Sequence, residues 1–410
     1  MTILQYIEKN LPLTIRENKE DRDPLLGLPY PYIIPCACDM FQEMYYWDTY
    51  FANKGLILRG DIQQAKNNVD NLRSLLERFG FVLNGNNKWF CNNSQPPFLA
   101  LMVRDIYEAT KDRKWLKDAY VSVRKEHNFW QERRMTQCGL NRYDCEPLPE
   151  SWIPGAVAGM VQRLGYRPDK TDAELARGMY AAGESGWDCT PRFTCETYCY
   201  AAVDLNSLLY AQEAQLAFMA SELELPEEMD AWVAAKEKRT QKMRQYLKGE
   251  DGIFNDYNTQ TGKHSTLAST ACFYPLFVKM ATQEEAAATV KLLGRLEKDH
   301  GLAVCEESDV PGNFQWGYPN GWSPMHYITV MGLLNYGYRK EALRIAGKYV
   351  KLVESCFKKT GHLWEKYNVV EGNVQVLDEY KMPAMLGWTF GVYVFFQMLL
   401  EKSKNEEKEL

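Results

Sequence analysis

The chain has 410 residues, 46% of them hydrophobic and 25% charged, a balance that belongs to a globular protein and excludes a largely disordered one. Its net charge of -6 argues against nucleic acid or an anionic membrane as the main partner. Aromatic residues are the outlier at 13%; tryptophans beside Asn, Gln and Glu suit a site that stacks on sugar faces while polar neighbours bind the hydroxyls.

The N-terminus, MTILQYIEKNLPLTIRENKEDRD, lacks a basic segment, a long apolar stretch and a small-residue cleavage site. It does not read as a signal peptide, and no later run is apolar enough to span a bilayer. The 11 cysteines are therefore expected as free thiols in a reducing, cytoplasmic compartment. Ala65, Val69, Leu72, Leu75 and Leu76 recur near the helical period and predict a helix over Ile62–Phe79. Pro96 and Pro97 open another over Leu99–Thr110, since proline is tolerated in a first turn. A third runs from about Trp115 to Arg134. Leu205–Leu223 and Pro226–Leu247 form a long pair, the second opened by Pro226, Glu227 and Glu228. Helices are also expected over 268–281, 283–298, 324–334, 340–360 and 388–402, and GIFNDYN around Asn255 reads as a hairpin arm. The tail KSKNEEKEL reads as solvated and frayed from about 403.

No Pro/Ser-rich linker interrupts the run, so a single domain over 1–410 is expected, with a short N-terminal lead-in. Many paired helices with almost no strand point to an all-α fold, an (α/α)6 toroid or barrel around a central funnel. A solenoid is the other arrangement of such pairs, and the missing repeat period counts against it.

Cys36 and Cys38, and Cys195 and Cys199, raise the question of a metal. No paired Cys/His spacing accompanies them, so they read as small buried hydrophobes and no metal is expected. The five histidines are scattered, without H-E-x-x-H. Neither a glycine-rich phosphate loop nor a G-x-S-x-G elbow is present, which argues against phosphoryl transfer and serine hydrolase chemistry.

Two acids remain. Asp188 follows Trp187 within ESGWDCTPRF (Glu184–Phe193), and Glu365 follows Trp364 within HLWEKYNV. Glycosidic cleavage needs one carboxyl that holds a proton for the leaving oxygen and one that stays ionised. An adjacent indole desolvates a carboxyl and raises its pKa. EMYYWDTYF, NNSQPPFLALM, ESGWDCTPRF, QWGYPNGWSP and LGWTFGV all stand where helices should begin. In a toroid such loops converge on one mouth, so motifs distant in sequence can line one pocket.

In these motifs the chain resembles the trehalase family of inverting glycoside hydrolases, from LPYPYIIP to LGWTFGV. QWGYPNGWSP resembles one family signature and FQEMYYWDTYF the end of the other; VDLNSLLY, FNDYNTQTGK and WEKYNV follow in the family's order. The resemblance implies an (α/α)6 barrel that hydrolyses an α-glucoside in a small saccharide without cofactor, Asp188 being the acid and Glu365 the base. It implies a sugar pocket lined by Phe41, Trp47, Asp48, Asn84, Gln95, Glu150, Gln315, Trp316, Asn320, Trp322 and Glu379. Single displacement would set the two carboxyls about 6.5–9.5 Å apart. The chain departs from the family at its arginines: PCACDMFQE replaces a glycine-glycine-arginine-phenylalanine run, and Asn93 and Leu148 stand where arginine is expected. Gly317 replaces an aspartate. Lost guanidiniums remove fixed donors and charge, so a changed substrate is expected rather than a changed mechanism.

Each residue also has a plainer reading. Asp188 and Asp48 suit helix capping, Glu365 an ordinary pair with Lys366, and Trp316 and Trp322 the core. Arg192 suits a structural carboxylate as well as substrate. A phosphorylase on the same barrel needs a basic pocket, and a sugar-binding protein that has lost catalysis would not need both acids. The oligomeric state is left open.

Overall fold

The computed structural model describes residues 1–37, 40–384 and 387–408. Cys38 and Leu386, which belong to two of the motifs above, lie outside them. In chain order the first helices are α1 (Ile3–Asn10), α2 (Tyr46–Arg59), α3 (Ile62–Phe79), α4 (Leu99–Thr110) and α5 (Arg113–Arg133). There follow α6 (Ile153–Leu164), α7 (Asp172–Ser185), α8 (Val203–Glu222), α9 (Pro226–Tyr246) and α10 (Tyr274–Phe277). The last are α11 (Gln283–Val290), α12 (Leu293–Leu296), α13 (Ser323–Asn335), α14 (Arg339–Thr360) and α15 (Gly387–Lys408).

The helices differ in how their apolar residues are distributed. α3 and α14 bury one stripe, such as Ala65, Val69, Leu72, Leu75 and Leu76 of α3, and leave the other face to solvent. α8 and α13 are buried almost all round. A helix apolar on every side needs neighbours on every side. The inner ring supplies them: α2 packs on α4, α4 on α8, α8 on α10, α10 on α13, α13 on α15, and α15 back on α2. Outside it, α3 lies against α2 and α4, α5 against α4 and α8, α9 against α8, and α14 against α13 and α15. The fold is an (α/α)6 barrel. One continuous apolar core runs from Ile3 to Phe396. The α6–α7 hairpin keeps a small core of its own, built from Ala156, Val157, Met160, Leu164, Leu175 and Ala176 with Phe314.

Most expected helices occur within a residue or two of their predicted bounds. Two do not. The stretch 268–281 is a 3-10 turn over Thr270–Phe273 followed by the single turn of α10, and Lys279 takes a positive φ that stops it. The stretch 283–298 divides into α11 and α12 and ends in a strand, Glu297–Lys298, paired with Gly301–Leu302. The hairpin arm is Tyr257–Asn258, set between Tyr200–Ala201 and Lys263–His264. The tail is helical through Lys408 rather than frayed from 403, although its side chains around Lys404–Glu406 are exposed. ESGWDCTPRF ends a helix instead of beginning one. Among the described residues no helix is long and apolar enough to cross a membrane, and no group of three or more His, Cys, Asp or Glu could hold a metal.

Candidate active site

The loop that presents Asp188 is tied down on both sides. Glu184, fully buried in the last turn of α7, pairs with Arg134 (Nε to Oε2 2.8 Å, Nη2 to Oε1 3.0 Å). The same carboxylate accepts the backbone N–H groups of Ser94 and Asp144. The helix stops at Gly186, whose φ of +70° suits glycine; a Cβ there would sit 2.8 Å from the Trp47 indole. Beyond Asp188, the buried Arg192 donates to Asp204 (2.9 Å) and Asp256 (2.8 Å). These acids come from VDLNSLLY and FNDYN, so Arg192 fastens three motifs together and has the structural role.

The second acid is set by a short antiparallel pair in which Asn320, Gly321 and Trp322 face Asn368, Tyr367 and Lys366. Glu365 directly precedes this ladder. Trp316 and Trp322 stack with ring centroids 3.9 Å apart and planes 8° apart. Trp47 and Trp187 approach Trp316 at 5.4 and 5.2 Å, and Trp388 meets Trp322 edge-on at 5.6 Å. Both indoles of the stack are buried in the core and also face the cavity.

That cavity, ≈ 440 Å³, brings together Asp188, Glu365, Asp48, Asn84 and Gln95 with the aromatic rings of Phe41, Trp47, Trp316 and Trp322. Gln95 Oε1 accepts the Trp47 N–H at 3.1 Å, and Asn84 Nδ2 donates to the Gly183 carbonyl at 2.9 Å. Asp48 lies in the first turn of α2, whose N-cap residue is Tyr45. Burial, then the nearby Glu365 and Asp188, push its carboxyl well above the usual range.

Asp188 and Glu365 stand in opposite surroundings. Burial pushes the Asp188 carboxyl up to about 6, against the pull of Arg163 and Lys366 and with the help of Glu365. Glu365 receives two donors, Lys366 Nζ at 2.7 Å on Oε2 and Tyr380 OH at 2.7 Å on Oε1. Both carboxyl oxygens of Glu365 thus act as acceptors, one towards an ammonium and one towards a phenol. Lys366 is fully buried, bonds Asp378 at 2.6 Å as well, and sits 4.8 Å from the Trp322 ring.

Four expected pocket residues lie elsewhere. Glu150 is exposed in the turn Glu150–Trp152; Trp152 turns inward instead, 6.0 Å from Tyr180 and 5.6 Å from Trp89, both in the cavity wall. Asn320 is buried and spent: Nδ2 donates to the Gln315 and Leu377 carbonyls, and Oδ1 accepts the Leu377 N–H. Gln315 is buried with both amide atoms unpartnered, while its carbonyl accepts the Trp322 Nε1–H at 3.0 Å. Glu379 stands beside the cavity and pairs with Arg163 Nε at 2.7 Å; burial pushes it up to about 7 against that arginine.

Arg163, Tyr380, Tyr45 and Trp388 line the cavity without having been singled out by sequence. Arg163 and Tyr380 stand outside the tryptophan motifs; Tyr45 and Trp388 lie within them and were legible there. Of the departures from the family, Asn93 lines the cavity and its buried Oδ1 is unpartnered. Gly317 fits closely: a Cβ would lie 2.9 Å from Phe314 Cβ, which leaves no room for an aspartate.

An (α/α)6 barrel with two acids on an indole-floored cavity defines a glycoside hydrolase. Comparison with known proteins agrees, since the family model described as trehalase matches residues 5–401. The periplasmic trehalase of Xanthomonas oryzae pv. oryzae (strain MAFF 311018) is 31% identical over 399 residues, 90% of this chain and 68% of that one. The periplasmic trehalase of Escherichia coli (strain SMS-3-5 / SECEC) is 29% identical over 95% of this chain and 73% of its own. Neutral trehalase Nth1 from Saccharomyces cerevisiae superposes with a TM-score of 0.77 at 26% identity, covering 91% of this chain and 77% of that one. The chain belongs to the trehalase family. The bacterial relatives overturn the cytoplasmic location expected above, because they are named periplasmic trehalases. That expectation rested on the N-terminal segment rather than on the thiols, most of which, among the described residues, are core residues whose burial reports packing rather than compartment.

Proposed function

We propose that the chain hydrolyses trehalose by single displacement, as one catalytic domain. Asp188 protonates the glycosidic oxygen, and Glu365 deprotonates the water that attacks the opposite face of the anomeric carbon. The observation that carries this reading is the contrast between the two acids: one raised by burial, the other accepting from an ammonium and a phenol. A proton donor and a proton acceptor are thereby distinguished before substrate arrives. The stacked Trp316 and Trp322 offer an apolar face to a pyranose, and Asp48, Asn84 and Gln95 offer polar atoms to its hydroxyls. A periplasmic setting, carried over from the bacterial relatives' names, goes with this reading.

Asp188→Asn and Glu365→Gln are each expected to fold as the parent does and to lose at least about 10³-fold in kcat on trehalose. NMR of the first turnover is expected to show one β- and one α-glucose per trehalose. Near-parental turnover by either variant removes that residue from the mechanism; α-glucose alone as the initial product replaces inversion with retention.

A further inference from the structure

The cavity is rich in carboxyl groups. Asp48, Asp188 and Glu365 all line it, and one N–H of the Asn84 amide is already engaged. A sugar presents hydroxyl oxygens that need donors as well as protons that need acceptors. Among the described residues lining the cavity, Arg163 is the only arginine or lysine. It comes from α6, outside the barrel ring, and two contacts fix its plane: Nε on Glu379 Oε2 at 2.7 Å and Nη1 on the Asp188 backbone carbonyl at 3.2 Å. A guanidinium has more N–H groups than these two use. Its attachment at Asp188 also fixes which side it serves. A general acid stands at the glycosidic oxygen, on the side of the departing sugar.

We propose that Arg163 is the residue that grips the leaving-group sugar, donating to its hydroxyl oxygens from the α6 wall. Glu379 is its positioning residue, holding the guanidinium flat so that the remaining N–H groups face the cavity. Specificity for the departing ring thus resides in the α6–α7 hairpin and the 377–384 segment, while the floor of stacked indoles holds the ring that is transferred to water. This inference rests on Asp188 being the acid.

The test compares two substrates that share a glucosyl group and differ in what leaves. Trehalose releases a sugar, and α-glucosyl fluoride releases an ion without hydroxyls. Arg163→Gln is expected to lower kcat/KM on trehalose about 10- to 100-fold, mainly through KM, and to change hydrolysis of the fluoride by less than about threefold. Arg163→Lys keeps the charge and a bond to Glu379 but lacks the planar fork; it is expected to recover only part of the loss, and it serves as the second variant if the glutamine form does not fold. Equal losses on both substrates in Arg163→Lys would mean that Arg163 only props up Asp188 and Glu379, and the proposal falls. Unchanged trehalose kinetics would overturn it too. Failure of the acid assignment is separable, because it shows in Asp188→Asn with Arg163 intact.

Discussion

The floor of the cavity and its mouth are built on different principles. The floor is part of the core: Trp316 and Trp322 stack within it, Asn320 spends two bonds holding the 377 segment against it and a third on the Gln315 carbonyl, and Lys366 is buried between two carboxylates. At the mouth, Trp89 is 57% exposed and Glu150 points away, and α6 and α7 pack on a small core of their own. A side chain at the floor cannot change without disturbing the barrel, whereas one at the mouth can. The arginine losses at 36–40 and Leu148 fit this division, since Pro35 and Phe41 flank the cavity and Leu148 packs against the hairpin's separate core.

Three substitutions test the division. Lys366→Met is expected to have the largest effect, because it leaves Glu365 and Asp378 facing each other without a cation. Removing one partner of a buried pair costs about 3–5 kcal/mol, so denaturant unfolding should show a loss of that order, together with loss of trehalose hydrolysis; a stable variant would mean the floor is not part of the core. Next is Glu126, buried in the barrel core on α5, where it accepts from Tyr46 OH and Gln212 Nε2. Burial pushes its carboxyl up to about 8. The folded protein therefore keeps a proton that the unfolded chain releases near pH 4.5, and stability should decline as pH rises across that window, by up to about 1.4 kcal/mol per unit. Glu126→Gln mimics the protonated form and should flatten this dependence in melts taken from pH 5 to 8; an unchanged slope would assign it to other groups. The smallest effect is expected at Trp89→Ala, which should alter stability by no more than about 0.5 kcal/mol. A larger shift would make the mouth as structural as the floor.

The inner and outer helices were legible because their patterns repeat: α3 and α4 begin and end where periodicity and Pro97 place them. α6 and α7 were not anticipated, as IPGAVAGMVQRL carries a proline and two glycines that read as breakers, although the T-D-A-E capping box of Thr171 and Glu174 was there to be read. Missing that hairpin hid Arg163. The two acids and the indoles were found because motif order locates them, but Glu150 and Asn320 show the limit of such transfer. A motif fixes where the backbone goes; whether a side chain faces the cavity depends on bonds such as Asn320 to Leu377, which join segments far apart in sequence.

The cysteines matter beyond packing. Burial pushes Cys272 and Cys305 up to about 12, so almost none of either exists as thiolate near neutrality. Oxidants and alkylating reagents attack the thiolate form. Thiols buried in this way stay silent towards oxidants for as long as the barrel stays closed.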